Sequence, residues 1–392
     1  FRRDGSSSFE KENRWGNFYS VGASWRLDQE AFISDISWIN KLKLRASYGQ
    51  VGNDNLGNRD WYLSQALFQI TSNAANPAIL VNSIVNADLQ WETSENFDVA
   101  LEFAVLDNFL DGSVEFYRRN STDLLYNLPM ALSNGLNEVP VNDATMYNQG
   151  IEIGITGHLI SKGDLQWDVT LLGTTFKNEI TSLPTPFIDG SKRWTEGRSR
   201  FEYFLYDASA GVDPATGDQL YYEYDFDADG NSVPVLNGDG SHATTTDWSD
   251  TQRGYTGKSA VPDFIGSVNT NLSFKGFDFS LLVTYGIGGY ILDNAYSGMM
   301  HAGSYGRSWH TDILDAWKNP GDVTDVPRLE NGNVELVQTQ STRFLTSASY
   351  WAIRNASIGY NLSPEVLNRI GLNSLRVFVT GENLFLKSAR DG

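Results

Sequence analysis

The chain has 392 residues, 29 Lys and Arg against 48 Asp and Glu, and a formal charge of −19 at pH 7. A chain this acidic is repelled by nucleic acid, and its lack of Cys excludes a disulfide framework or a Cys-ligated metal site while suiting an oxidising compartment. No apolar run approaches the roughly 18 residues of a membrane-spanning helix, and no signal peptide is recognisable.

About ten strands are predicted from alternating polarity. Val21, Ala23, Trp25 and Leu27 alternate with Gly22, Ser24 and Arg26. After a connection over 28–40, Leu42, Leu44, Ala46 and Tyr48 alternate with Lys41, Lys43, Arg45 and Ser47. A long polar segment, about 52–88, precedes Phe97, Val99, Leu101, Phe103 and Val105, whose opposite face carries Asn96, Asp98 and Glu102. A tight turn at 106–108 leads into Val114 and Phe116, and a second long connection is expected at 129–146. The same unit recurs over 151–176 around the turn 161–164, with Leu165, Trp167, Val169 and Leu171 against Gln166, Asp168 and Thr170. The longest connection, 180–260, is followed by a hairpin over 266–287 that turns at 275–276. Another long connection covers 290–346, within which 309–318 (WHTDILDAWK) reads as a short helix stopped by Asn319-Pro320-Gly321. Ala356, Ile358, Tyr360 and Leu362 mark a further strand. Residues 363–371 read as one or two helical turns capped by Ser363 and ended by Gly371; Val377, Val379 and Gly381 lie on the last strand.

The connections are short at one end of these strands and long at the other. That asymmetry, with strands reaching the roughly 9–11 residues of a bilayer crossing, predicts a transmembrane antiparallel β-barrel with short periplasmic turns and long extracellular loops. Phe97, Val99, Leu101 and Phe103 are then expected to face lipid. Trp15, Tyr19, Trp25, Trp38, Tyr48, Trp91, Trp167, Tyr285 and Trp351 near strand ends suit the headgroup zone, the alternative being core packing in a soluble sandwich. No domain boundary is visible: residues 1–392 read as part of one sheet. The start at Phe1-Arg2-Arg3-Asp4 and the end at Arg390-Asp391-Gly392 suggest an internal fragment of a longer protein.

Chemistry-bearing motifs are sparse. His158, His242, His301 and His310 have no metal-ligand spacing, and His158 falls on the polar, lumen-facing side of a strand. Asp225, Asp227 and Asp229, with Gly230, match the first half of a calcium loop, but Leu236 stands where the bidentate Glu belongs. A Ca²⁺ site there is a possibility; a solvated Asp-rich turn is the default, and no other cofactor is expected. Trp194, Tyr203, Tyr221, Tyr222 and Trp248 lie in outward segments beside Asp and Asn. They are candidates for stacking on sugar rings or peptides, or equally for packing loops against each other or a partner. No catalytic constellation stands out, so no enzymatic activity is expected.

Blocks spread over nearly the whole chain carry a family resemblance: FRRDGSSSF (1–9), NRWGNFYSVGASWRL (13–27), LKLRASYGQVGN (42–53), LQWETSENFDVALEF (89–103), VEFYRRNSTDLLY (114–126) and YNQGIEIGI (147–155). GVDPATGDQLYY (211–222), DAWKNPGD (315–322), YWAIRNASIGYNL (350–362) and LRVFVTGENLF (375–385) continue it. Together they resemble the SusC/RagA-like TonB-dependent outer-membrane transporters. The resemblance implies that 1–392 is the C-terminal part of a 22-stranded barrel, with the plug and TonB-interacting segment outside this chain. It also implies import of glycan oligosaccharides or peptides, a SusD-like surface lipoprotein as lid, TonB as energy source, and outer-membrane lipid around the wall. A barrel serving as scaffold or docking subunit of a larger complex, and a soluble all-β binding protein or glycan-active enzyme, are the alternatives.

Overall fold

The fold, a computed structural model, describes residues 1–55, 68–73, 76–81, 86–135, 138–228, 230–303, 305–330 and 340–389. Its main element is an antiparallel meander of ten strands. These are β1 (Ser20–Arg26), β2 (Ile39–Asn53), β3 (Glu92–Val105), β4 (Leu110–Pro129), β5 (Glu138–Lys162), β6 (Leu165–Thr175), β7 (Phe264–Phe274), β8 (Phe277–Ile287), β9 (Tyr350–Asn361) and β10 (Arg376–Ser388). Each pairs with the next in chain order, and Lys177–Ser182 adds a short strand beside β5. The sheet is open, with β1 and β10 at its two edges.

Cross-strand register sets the two faces. Trp25, Leu44, Leu101, Val114 and Ile153 lie in one row, and Trp167, Leu272, Phe279, Ile358 and Val379 in another. All ten are exposed, from Leu44 at 36% to Val379 at 71%, where a soluble sheet would bury them. The predicted lipid face of β3 is on this side. The opposite face carries the charges, and there Ala100 and Ala104 are the buried residues of β3. Ala100 stands in register between Arg45 and Glu115, so its small side chain is covered by their longer ones.

Short turns close one end. Lys275 and Gly276 adopt φ of 46° and 87°, the paired left-handed conformation of a two-residue hairpin, which Gly tolerates without strain. Between β9 and β10, α2 (Pro364–Ile370) has Ser363 at its N-cap and a left-handed Gly371 as C-cap, as the sequence predicts. Aromatic side chains mark both rims of the outward face. Trp25, beside Phe32, and Phe277, beside Tyr360, sit at the turn end; Tyr19 with Tyr48 and Trp351 with Phe385 sit at the loop end. Trp91 departs from that belt: it packs between Phe9 and Phe18 and donates its indole N–H to the Arg14 carbonyl at 3.1 Å.

Three predicted connections differ in the structure. The loop expected at 129–146 is mostly strand, because β4 and β5, 20 and 25 residues long, stay paired past the rim. Alternation is broken at Asn120-Ser121-Thr122-Asp123, where Asp123 has φ of 52° and the register shifts, so the continuation is hidden from a periodicity search. In 52–88 a hairpin pairs Phe68–Asn73 with Asn76–Val81; residues 56–67, 74–75 and 82–85 lie outside the described residues. The helix expected at 309–318 shrinks to a 3₁₀ turn, Thr311–Asp315, because Ala316 leaves helical geometry with ψ of 141°. A helix not foreseen, α1 (Asn294–Met299), precedes it, capped by Asp293, whose carboxylate accepts from Tyr296 N at 2.8 Å.

Candidate functional site

The inner face of the wall is a polar lattice. Glu102 gathers Lys41, Lys43 and Arg45 at 3.1, 3.6 and 3.3 Å, and Arg45 continues to Glu115. His158 bridges Asp168 at 2.7 Å and Asp111 at 2.8 Å, on the lumen-facing side that the sequence predicts. Asp98 accepts from Ser47 at 3.2 Å, and Arg376 holds Asp278 at 2.5 Å. These groups alternate strictly with the apolar outward residues, so the pleat that satisfies lipid on one side builds a hydrated polar surface on the other.

At the loop end the long connections form one layer. The strands Phe187–Asp189, Lys192–Trp194, Glu202–Leu205 and Gly254–Ser259 make a small sheet. Beneath it, the extended β4–β5 hairpin contributes Leu124, Tyr126, Ala144 and Met146 to a buried cluster with Ile180, Leu183 and Trp194. A second cluster, Tyr296, Met300, Ala316, Val326 and Phe344, organises the last long connection. The two longest connections are tied together. Thr342 N donates to the Tyr206 carbonyl at 2.9 Å, the Thr342 hydroxyl accepts from Ala208 N at 2.9 Å, and the Tyr203 hydroxyl donates to the Tyr290 carbonyl at 3.2 Å.

Two of the sequence blocks noted above lock into a clasp. Gly217, with φ of 77°, lies against the Trp317 ring, and a Cβ there would come within 2.4 Å of it. The Trp317 indole N–H donates to the Pro214 carbonyl at 3.0 Å, Gly321 N donates to the same oxygen at 2.8 Å, and Arg328 pairs with Asp218 at 3.0 Å. An open cleft of about 720 Å³ lies beside this clasp, lined by Tyr296, Asp312, Asp315, Trp317, Asp325 and Arg343.

The aromatic candidates fall mainly inside the layer. Trp194 is 6% exposed, stacked on Phe187 and near Tyr126, and Tyr203 and Tyr221 are 5% and 1% exposed. As placed, these three brace the layer and do not present a ring to solvent. Tyr222 stacks on His242 at 4.5 Å, and Trp248 is half-buried edge-on to Tyr206 at 5.3 Å. Lys192 lies over the Tyr203 ring at 4.7 Å, and burial pulls its pKa below the usual lysine range. Of the calcium candidates, Asp225 accepts from Phe226 N at 2.7 Å, and Asp227 accepts from Asn231 N at 2.7 Å within the hairpin of Tyr224–Phe226 and Ser232–Pro234. Asp229 lies outside the described residues, and among the described residues no three His, Asp or Glu converge as metal ligands. Asp239 and Asp247 cap their own turns: the Ser241 and Ser249 hydroxyls and N–H groups lower both carboxyl pKa values.

One residue with several partners in the layer is missed by the sequence reading. Asn178, 5% exposed, donates to Asn148 at 2.9 Å and the Tyr147 carbonyl at 3.2 Å, and accepts from Arg200 N at 2.9 Å and Ser199 at 3.2 Å. Its only sequence signal is a polar residue two places before the buried Ile180.

A family model described as "TonB dependent receptor-like, beta-barrel" matches residues 1–384. TonB-dependent receptor P3 of Formosa agariphila is 28% identical over 405 residues, covering 98% of this chain and 38% of that protein. TonB-dependent receptor SusC of Bacteroides thetaiotaomicron is 26% identical over 412 residues, covering 100% of this chain and 39% of that protein. A solved structure described as the RagAB peptide transporter superposes with a TM-score of 0.84 at 26% identity, over 98% of this chain and 41% of that one. The chain thus spans about two fifths of the length of these relatives. With its apolar outward band, polar inner wall and one-sided loop layer, the chain belongs to the TonB-dependent receptor β-barrel family of the outer membrane.

Proposed function

We propose that this chain is the wall and mouth of an active importer of oligomeric nutrients, glycan oligosaccharides or peptides, energised through TonB and served by a SusD-like surface lipoprotein as lid. The carrying observation is the continuous polar inner face, from Glu102 and Arg45 to Asp278 and Arg376, opening beneath an organised loop layer. Such a surface offers a polar oligomer hydrogen bonds along its path. The likeness to a structure described as a peptide transporter, and to SusC, supports the reading. The chain itself performs no catalysis; its residues bind and guide.

The test is uptake by cells carrying the full-length receptor, with labelled peptides and oligosaccharides and with TonB present or absent. Accumulation that needs both receptor and TonB is expected. Surface binding that is indifferent to TonB would favour a scaffold or docking subunit instead. Within the layer, the segment 231–250 pairs Tyr221–Tyr222 with Thr244–Thr245 and touches no wall strand in that pairing. Its deletion is expected to weaken lid or ligand contact while the barrel still assembles, since loop length costs little stability. A deletion that unfolds the barrel, or that leaves both contacts unchanged, would contradict this assignment.

A further inference from the structure

The inner wall meets the loop layer at a second cleft, of about 490 Å³. Three arginines line it: Arg118, whose guanidinium is held by Asn120 and Gln149, and Arg119 and Arg200, which come from different elements. Arg119 lies on β4 in register with Asn96 and Asn148, on the polar face, and its Nε donates to Asn96 Oδ1 at 2.7 Å. Arg200 comes from the loop layer, where Asn178 fixes its backbone N and Trp194 supports its guanidinium at 4.5 Å from the ring centre. No guanidinium hydrogen of Arg200 is donated to any described residue; Asp189 and Glu92 act on it only at a distance, and burial lowers its pKa. A partly desolvated guanidinium without an acceptor is unfavourable, and an anion supplied from outside relieves it.

The rest of the cleft narrows the anion. Glu152, Asp98 and Glu115 share it, and Glu115 is already paired with Arg45. Three carboxylates repel a polyanion, whereas two forked donors lining the same cleft suit a single carboxylate. Phe176 and Phe201, edge to face at 5.9 Å, add an apolar wall beside it.

We propose that Arg200 and Arg119 form a carboxylate subsite at the mouth of the lumen, selecting oligomers that carry an isolated carboxyl group, such as a peptide C-terminus or a single uronate among neutral sugars. This deepens the importer reading and rests on it. The same carboxylate chemistry has a second source, an acidic side chain of the receptor itself beyond the described residues, and the test separates the two.

The full-length receptor is offered a pentapeptide library with free C-termini, the same library C-amidated, and glucuronate-containing oligosaccharides with their carboxyl-reduced counterparts. Retained molecules are counted by mass spectrometry. The wild type is expected to retain carboxylate-bearing members at least about tenfold over matched neutral ones. Arg200→Gln is expected to bring that ratio close to one, Arg119→Gln to lower it, and Arg200→Lys to keep part of it. Equal retention of charged and neutral members overturns the subsite while leaving the importer reading. An unchanged ratio in Arg200→Gln together with a lower unfolding temperature also overturns it, by assigning the carboxylate to the receptor's own chain. Retention of no oligomer at all would sink both readings.

Discussion

The strand wall and the loop layer satisfy their backbones and bury their side chains by different rules. In the wall every strand hydrogen-bonds its chain neighbour, and a residue's surroundings follow from its parity: Leu101 is outward and Glu102 inward because they are adjacent. The layer has no such rule. Ile180, Trp194 and Leu124 meet from three separate segments, and Tyr206 is tied to Thr342 across 136 positions of sequence. The wall repeats one pairing rule between consecutive strands of the meander, even where a long connection separates them; the layer is a set of contacts made once. Loss of one side chain is therefore expected to act through lipid or polar exposure in the wall, and through cooperative loosening in the layer.

The comparison is broken most strongly at Phe344, 1% exposed in the second loop cluster. Phe344→Ala is expected to cost about 3–5 kcal/mol of local packing and to open 290–346 to protease while the barrel resists. If the barrel strands are cut with equal ease, the two regions are not separate folding problems. Next is the lipid face. Leu101→Arg is expected to cost about 2–4 kcal/mol near the midplane and to impair assembly, whereas Glu102→Gln on the inner face leaves the barrel assembled. Heat-modified gel migration of the two variants reads this directly, and equal assembly would reverse the faces.

A smaller effect sharpens the layer's side of the comparison. Gly217→Ala forces a left-handed Ala and a contact with Trp317, at roughly 1–3 kcal/mol. A shift in Trp fluorescence without loss of barrel assembly is expected; an unchanged spectrum would mean that the clasp is not held by that contact. The smallest effect belongs to the wall's turn end. Asp28 accepts from Arg26 at 2.6 and 2.9 Å, from Gln29 at 2.8 Å and from Leu42 N at 3.2 Å, and the Arg26 hydrogen bond leads in holding its carboxyl well below the ordinary range. A depressed folded pKa gives stability that is complete above about pH 4 and is lost as pH falls toward the folded value. The gap in melting temperature between wild type and Asp28→Asn is expected to be widest near neutral pH and to close in acid. A gap that grows in acid would contradict the assignment.

What the sequence made legible follows the same division. The wall strands, the turns at 106–108, 161–164 and 275–276, and the helix after Ser363 rest on period-two alternation and turn chemistry, which are local signals. The β4–β5 extension was hidden where Asp123 shifts the register, and α1 where a six-residue helix is too short for a period. The candidate site was less legible still. Trp194, Tyr203 and Tyr221 stand out in the sequence as aromatics in polar segments, but only long-range packing decides that they point into the layer. Arg200 carries no signal, because its significance depends on Asn178 being brought beside it and Arg119 into the same cleft.

Wall and layer are expected to face different media, with the short turns in the periplasm and the layer outside the cell. This chain has no Cys, so a single introduced thiol in it reports one place. Gly238, in open space without a left-handed φ, and Asp164, in the turn between β5 and β6, are suited to Gly238→Cys and Asp164→Cys in the full-length receptor. A membrane-impermeant maleimide applied to intact cells is expected to label the thiol at position 238 and not that at 164, with both labelled after the outer membrane is breached. Labelling at 164 alone on intact cells would invert the topology, and labelling at both would contradict a wall that spans the membrane.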